Sequence, residues 1–304
     1  MSVQSIKERF TGCILGGAIG DAHGSVYENQ ASHKTTFTYW GENIQKQDNW
    51  CITDDTQLTL ATCEALAAHN PLLPEQLATY LVRYYRQGKI TGIGASTLKA
   101  IKDLEAGIHW KMAGRSGDYA AGNGAAMRVA PLAFRTSVTR QDLEAFCRIT
   151  HNNDEAYTGA LTVFLALRTI LNNDWDGSGS LLQLLIPQLP DTNVRDRLTA
   201  LQHIDTITAA AKFGTGGYVA DSIPFAVFAA AQVTKSGFEN MLQEVIDAGG
   251  DTDTNASIAG QIAGTFLGAS ALPGALKNKL RLLPDYSWIQ SVIDNTYSSL
   301  SLFQ

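Results

Sequence analysis

The stretch that decides the fold is Asp251-Thr-Asp-Thr-Asn-Ala-Ser-Ile-Ala-Gly-Gln-Ile-Ala-Gly-Thr-Phe-Leu-Gly268. From Thr254 the chain runs 23 residues to Leu276 without a charge, and Gly260, Gly264 and Gly268 recur every fourth position. Length and small-residue spacing of this kind would suit a membrane-spanning helix. However, Asn255, Ser257, Gln261 and Pro273 interrupt the run, and two carboxylates stand immediately before it. The stretch therefore reads as a buried helix of a soluble protein, over 254–270, with an acid pair at its start.

Outward from there, most of the chain carries helical periodicity. Thr56 to His69 and Pro74 to Gln87 place apolar residues three and four apart, as in Leu77, Tyr80, Leu81 and Tyr84. Pro74 suits a first helical turn, where no amide donor is needed. Thr139-Arg-Gln-Asp142 has the form of a helix start ahead of Leu143, Phe146 and Ile149. Further helices are expected near 154–171, 193–212, 219–234, 238–248 and 288–300. Alternating strand patterns are scarce, and only the polar segment 31–50 has room for a short hairpin. The expected architecture is all-α, a compact single-domain helical bundle over residues 1–304. The turn-rich loop Asn172 to Ser180 is too short to be a domain linker.

Composition narrows the functional classes. Of 304 residues, 45% are hydrophobic and 17% charged, enough for a large core. Twenty-three basic residues against 29 acidic ones give a net charge of −6, so no nucleic-acid partner is expected. The four cysteines, Cys13, Cys51, Cys63 and Cys147, form no C-x-x-C pair and read as reduced thiols. With no apolar signal core near Met1 to Arg9, a cytoplasmic monomer without membrane attachment is expected.

The 27 glycines are many for a helical protein, since glycine weakens helix interiors. Gly16-Gly17…Gly20-Asp21, Gly122-Asn123-Gly124, Gly214…Gly217 and Gly249-Gly250-Asp251 read as clusters at element ends beside polar residues. Two acid clusters stand out. Thr53-Asp54-Asp55-Thr56 and Asp251-Thr252-Asp253-Thr254 each set two carboxylates and flanking hydroxyls at a helix start. Complementing the helix dipole accounts for such acids in part. Neighbouring carboxylates joined to apolar helices nevertheless repel, and a cation or a proton must relieve them. Oxygen donors without nearby histidine or thiolate select hard ions such as Mg2+ or Mn2+. Two such clusters have the capacity for two metals.

Other chemistries find no motif: the chain has no G-x-x-x-x-G-K-[ST] loop, no G-x-S-x-G elbow and no H-E-x-x-H. Of six scattered histidines, His151 follows Ile149-Thr150 at a helix end and is the one to watch.

Taken in order, these segments resemble the ADP-ribosylglycohydrolase family. Gly12-Cys-Ile-Leu-Gly-Gly-Ala-Ile-Gly-Asp21-Ala-His-Gly-Ser-Val-Tyr-Glu28 is similar to its opening, and Trp50-Cys-Ile-Thr53-Asp-Asp-Thr56-Gln to its first metal motif. Gly122-Asn-Gly-Ala-Ala-Met-Arg128, Thr150-His151, Gly214-Thr-Gly-Gly-Tyr218 and Gly250-Asp251-Thr-Asp253-Thr254 follow in sequence. The resemblance runs from residue 12 to about 268 and implies an all-α enzyme with two divalent cations, Mg2+ or Mn2+. It implies cleavage of the glycosidic bond between ADP-ribose and a modified protein side chain, arginine foremost, with ADP-ribose as product. Thr53, Asp54, Asp55, Asp251, Asp253 and Thr254 would hold the metals. Glu28 would be the catalytic acid/base. Gly122, Asn123, Gly124 and His151 would hold the diphosphate and proximal ribose, and Tyr218 would lie against the ligand. Segment 29–49 carries no motif, and the resemblance implies a mobile lid there.

A second class remains open at this stage: an immunity or binding protein that docks an ADP-ribosylating toxin, or ADP-ribose itself, without catalysis. Both acid clusters and Glu28 are intact, which weighs toward hydrolysis. A metal-dependent phosphoesterase would use the same acids and is separated by its product, AMP in place of ADP-ribose.

Overall fold

A computed structural model describes residues 5–28 and 49–301, and nearly all of their regular structure is helix. The chain runs through α1 (Ile6–Gly24), α2 (Asp54–Ala68), α3 (Pro74–Arg86), α4 (Ala95–Glu105), α5 (Trp110–Ala113), α6 (Arg140–Arg148), α7 (Asp154–Leu171) and α8 (Leu181–Leu185). It continues through α9 (Asn193–Leu201), α10 (Ile207–Ala210), α11 (Val219–Ala231), α12 (Val233–Ser236), α13 (Phe238–Asp247), α14 (Thr252–Leu267), α15 (Gly274–Arg281) and α16 (Tyr286–Ser301). Among the described residues nearly all the buried apolar side chains form one continuous cluster. The all-α expectation holds. Among the described residues the only paired strands are β1 (Arg115–Ser116) and β2 (His151–Asn152), two residues each and parallel. Two residues leave no periodicity in a sequence, so this pair was not legible.

The centre is the antiparallel pair α1 and α14, and glycine sets its spacing. Gly12, Gly16, Gly20 and Gly24 lie four apart and so line one face of α1. A Cβ at Gly12 would run into the carbonyl oxygen of Gly264, at Gly16 into that of Gly260, at Gly20 into that of Ala256, and at Gly24 into that of Thr252. The clash is reciprocal at Gly260 and Gly264, whose added Cβ would strike the carbonyl oxygens of Gly16 and Gly12. The backbones thus touch over four successive turns.

This corrects the reading of Gly16-Gly17…Gly20-Asp21 as an element end: the whole run lies inside α1. The helix interior tolerates these glycines because close approach returns dispersion and Cα–H···O contacts that a larger side chain would forbid. It also explains the four-residue spacing in α14. Every residue of α14 from Thr252 to Thr265 is buried, and among the described residues no helix is long and apolar enough to cross a membrane. Several of its internal polar groups are bonded in place: Gln261 Nε2 donates to the Met127 carbonyl at 2.8 Å and Asn255 Nδ2 to the Thr215 carbonyl at 2.7 Å.

Most expected helices stand within two residues of their predicted bounds. Thr139 and Asp142 form a reciprocal cap on α6, with each side chain accepting from the other's backbone amide at 3.2 and 2.9 Å. The helix expected over 193–212 is broken into α9 and α10 by a turn at 202–206. The hairpin in 31–50 and the lid over 29–49 fall, but for Asn49 and Trp50, outside the described residues.

Candidate active site

Three helix ends meet because α1 and α14 are antiparallel: the end of one lies beside the beginning of the other. Thr252 Oγ1, in the first turn of α14, donates to the carbonyl of Gly24 at 2.8 Å across 228 positions of sequence. Beyond Gly24 the chain turns tightly, with the Glu28 amide donating back to the Gly24 carbonyl at 3.2 Å, and delivers Glu28 to the surface. The start of α2 comes alongside, held where Ser25 Oγ donates to the Cys51 carbonyl at 2.9 Å.

Asp21, fully buried one turn before the end of α1, ties α1 to α2. Its carboxylate accepts from the Thr53 amide (3.0 Å to Oδ2), Thr53 Oγ1 (2.7 Å), the Thr56 amide (3.1 Å) and Thr56 Oγ1. Thr53 spends its hydroxyl proton on Asp21, so its oxygen can accept: it caps α2 by taking the Asp55 amide at 3.4 Å and keeps a second lone pair. On the other side Thr254 Oγ1 donates to Asp55 Oδ2 at 3.1 Å, joining α14 to α2.

The result is a dense group of acids. Asp21, Asp55 and Asp253 present carboxylate oxygens within 4.8 Å of one another, as do Glu28, Asp251 and Asp253. Asp253 belongs to both sets. Burial, then neighbouring acids, disfavours the charged forms. Burial pushes the Asp21 carboxyl up to about 6. Burial and the Asp21 charge push Asp54 up to about 7. Burial and the hydrogen bond with Asp251 push Asp253 up to about 9. Asp55, buried and facing Asp253, is raised well above the carboxylate range. Its Oδ1 is buried with no hydrogen-bond partner among the described residues. An orphaned carboxylate oxygen among repelling acids is the arrangement a hard divalent cation satisfies.

The opposite wall is backbone. Asn123 sits between two glycines, and its Nδ2 donates to Asp251 Oδ2 at 2.8 Å. The Asn123 amide donates to the Gly217 carbonyl at 3.2 Å, and Gly122 bridges Tyr218, so the loops at 121–124 and 214–218 hold each other. Gly250 adopts φ 81° and packs so close to Thr215 that a Cβ would collide with its backbone, while the Asp251 amide donates to the Thr215 carbonyl at 2.9 Å. At Gly124 a Cβ would stand 3.0 Å from His151 Cε1. His151 is nearly fully buried, and burial, with the charges of Arg128 and Arg115, pushes its imidazolium pKa down to about 3.

These walls enclose a cavity of about 280 Å³. Glu28, Asp54, Asp55, Gly122, Asn123, Gly124, His151, Asp251, Asp253 and Thr254 all line it. Thr53 lies beneath, bonded to Asp21. Tyr218 is 40% exposed beside the lining residue Gly217, its hydroxyl accepting from Asn193 Nδ2 at 3.3 Å. A larger cavity of about 660 Å³ between α3, α4 and α5 has a single lining carboxylate, Glu75. Glu75 accepts from Trp110 Nε1 at 2.7 Å, and the clustered acids line the smaller cavity instead.

Sequence reasoning assigned no role to Asp21, although an aspartate inside a glycine-rich apolar run was the signal. It also passed over Gly92, Gly94, Ser96 and Thr97, which line the cavity at the start of α4. The only hint was a glycine–serine–threonine segment ahead of an amphipathic run.

A family model described as ADP-ribosylglycohydrolase matches residues 2–302. The chain is 28% identical to the ADP-ribosyl-[dinitrogen reductase] glycohydrolase of Rhodospirillum rubrum, over 92% of each chain. It is 28% identical to the ADP-ribosylarginine hydrolase Tri1 of Pseudomonas putida, over 90% of this chain and 74% of that one. It is 26% identical to the ADP-ribosylhydrolase ARH3 of Bos taurus, over 87% of this chain and 86% of that one. A solved structure titled ADP-ribosylglycohydrolase-related protein complex shares the fold, with a TM-score of 0.74 at 24% identity over 97% of this chain and 98% of that one.

Proposed function

The chain belongs to the ADP-ribosylglycohydrolase family, and from that premise we propose that it is a metal-dependent hydrolase that removes mono-ADP-ribose from modified protein side chains, arginine foremost. The observation that carries this reading is the meeting of Glu28, Asp251 and Asp253 within 4.8 Å at the cavity. Arginine is preferred because one of the relatives bears that linkage in its name.

Thr53, Asp54, Asp55, Asp251, Asp253 and Thr254 would hold two hard divalent cations, Mg2+ or Mn2+, with the orphaned Asp55 Oδ1 and the oxygen-only donor set supporting the fit. When bound, such ions polarise ribose hydroxyls and lower the pKa of water.

The chain's own groups then divide the work. The backbone of Gly122, Asn123 and Gly124, with His151, lines the wall where a diphosphate and the proximal ribose would lie. Asn123 holds Asp251 in place through its 2.8 Å hydrogen bond. Glu28, exposed to solvent and beside the buried acids, accepts a proton from the attacking water as the bond from the anomeric carbon to nitrogen breaks. It returns that proton to the departing guanidine, so free ADP-ribose and unmodified arginine result. Tyr218 would lie against the bound ligand.

The test is release of free ADP-ribose from arginine-linked and serine-linked modified proteins in Mg2+, Mn2+ or EDTA. Metal-dependent release from the arginine linkage is expected. Release of AMP would sink the glycosidic reading, and release from the serine linkage alone would replace the acceptor.

A further inference from the structure

Beneath His151 lies Arg128, the largest of the fully buried side chains among the described residues. Its Nη2 donates to the Phe146 carbonyl at 3.1 Å and to Thr150 Oγ1 at 2.9 Å. Thr150, itself fully buried, stands 2.9 Å from His151 Nδ1 through the same Oγ1.

The proton count on that hydroxyl is decisive. A guanidinium has donors and no acceptor, so Thr150 Oγ1 accepts from Arg128. The hydroxyl keeps one proton to give, and its other neighbour is His151 Nδ1. An Nδ1–H ring would aim two donors at the same oxygen and leave the buried hydroxyl proton without an acceptor. Nδ1 therefore accepts, and the neutral ring carries its proton on Nε2.

We propose that Arg128, acting through Thr150, is a positioning residue that fixes His151 as the Nε2–H tautomer, so that the ring presents a standing hydrogen-bond donor to the cavity. Nε2 faces the glycine loop, 3.4 Å from the places where a Cβ would stand on Gly122 and Gly124. The pairing of Arg115 with His151 in β1 and β2 holds the backbone beneath the ring. Burial and the nearby Arg128 charge keep the ring neutral, which removes it from acid/base duty. The tautomer rests on geometry alone. That its donor meets a phosphate or ribose oxygen rests on the ADP-ribose reading above.

Two-bond 1H–15N spectra of the histidine rings test the relay, with His151→Gln identifying the signals of residue 151. The wild type is expected to show a protonated Nε2 and an unprotonated Nδ1 at neutral pH. Thr150→Ser should keep that signature, and Thr150→Val should lose it. In calorimetric titrations with ADP-ribose, Thr150→Val should bind about tenfold more weakly and Thr150→Ser as the wild type does. A protonated Nδ1 in the wild type overturns the relay. A changed tautomer in Thr150→Val with unchanged ADP-ribose affinity overturns the donor's role. Failure of the wild type to bind ADP-ribose while Nε2 stays protonated upholds the relay and sinks the ligand.

Discussion

Thr53 Oγ1 donates to Asp21 Oδ1 at 2.7 Å, and this one bond sets which way a hydroxyl at the start of α2 faces. The Asp21 carboxylate takes four donors, two from Thr53 and two from Thr56. It is thereby occupied, while the Thr53 oxygen, which also caps the Asp55 amide, keeps one lone pair to offer.

Asp21→Asn should accordingly weaken cation binding by about 10–100-fold, the usual effect of losing a group that orients a ligand. Calorimetry with Mn2+ measures this directly, and circular dichroism checks that the helices persist. Mn2+ affinity equal to that of the wild type would mean that Asp21 is only a structural tie.

The acid group makes stability depend on pH in a defined direction. Asp21, Asp54 and Asp253 have folded-state pKa values raised to about 6, 7 and 9 from an ordinary 3.8. A carboxyl raised on folding lends stability that is full below the unfolded value and is lost as pH rises through the folded one. In EDTA the melting temperature should therefore fall between pH 5 and pH 9. Mg2+ or Mn2+ should restore more of it at pH 8.5 than at pH 5.5, because binding at the lower pH must first displace protons. Equal metal-induced gains at both pH values would contradict the assignment.

Glu28→Gln should lower the release of ADP-ribose by about 10²–10⁴-fold, the range for loss of a general acid/base. ADP-ribose affinity should change little, since the glutamine keeps the shape and an acceptor oxygen. Single-turnover rates and calorimetry separate the two effects. A pure binding defect would transfer the proton-handling role elsewhere.

Gly16→Ala reverses a familiar rule. In an ordinary helix interior alanine is more stable than glycine by about 1 kcal/mol. Here its methyl would meet the Gly260 carbonyl, a backbone atom that cannot rotate away. The variant should be less stable by about 1–3 kcal/mol, in the range of overpacked cores. Urea denaturation gives the value, and a more stable variant would show that the two helices can part without cost.

Much of this was legible in the sequence where the signal is local. The periodicity of 154–171 gives α7 at Asp154–Leu171, and the acid pairs before apolar runs mark the starts of α2 and α14. The family resemblance drawn from six ordered segments agrees with a family model spanning residues 2–302. What stayed hidden depends on distant partners. The glycines of α1 read as punctuation because their reason, contact with α14, lies more than two hundred positions away. Asp21 drew no assignment because its four donors are supplied by another helix. The same holds for Arg128, whose burial beneath His151 no spacing reveals.

The glycine seam has a thermal consequence as well. Packed cores transmit strain, yet their side chains still hop between rotamers. Along the line of Gly12, Gly16, Gly20 and Gly24, where α1 meets α14, there is no side chain to hop, only peptide against peptide. The distance from the end of one helix to the start of the other is therefore set by atoms without torsional slack. Warming the protein can loosen the groups around the acids well before it changes the gap between Gly24 and Thr252, so the frame of the site should be among the last parts of the molecule to exchange its amide hydrogens.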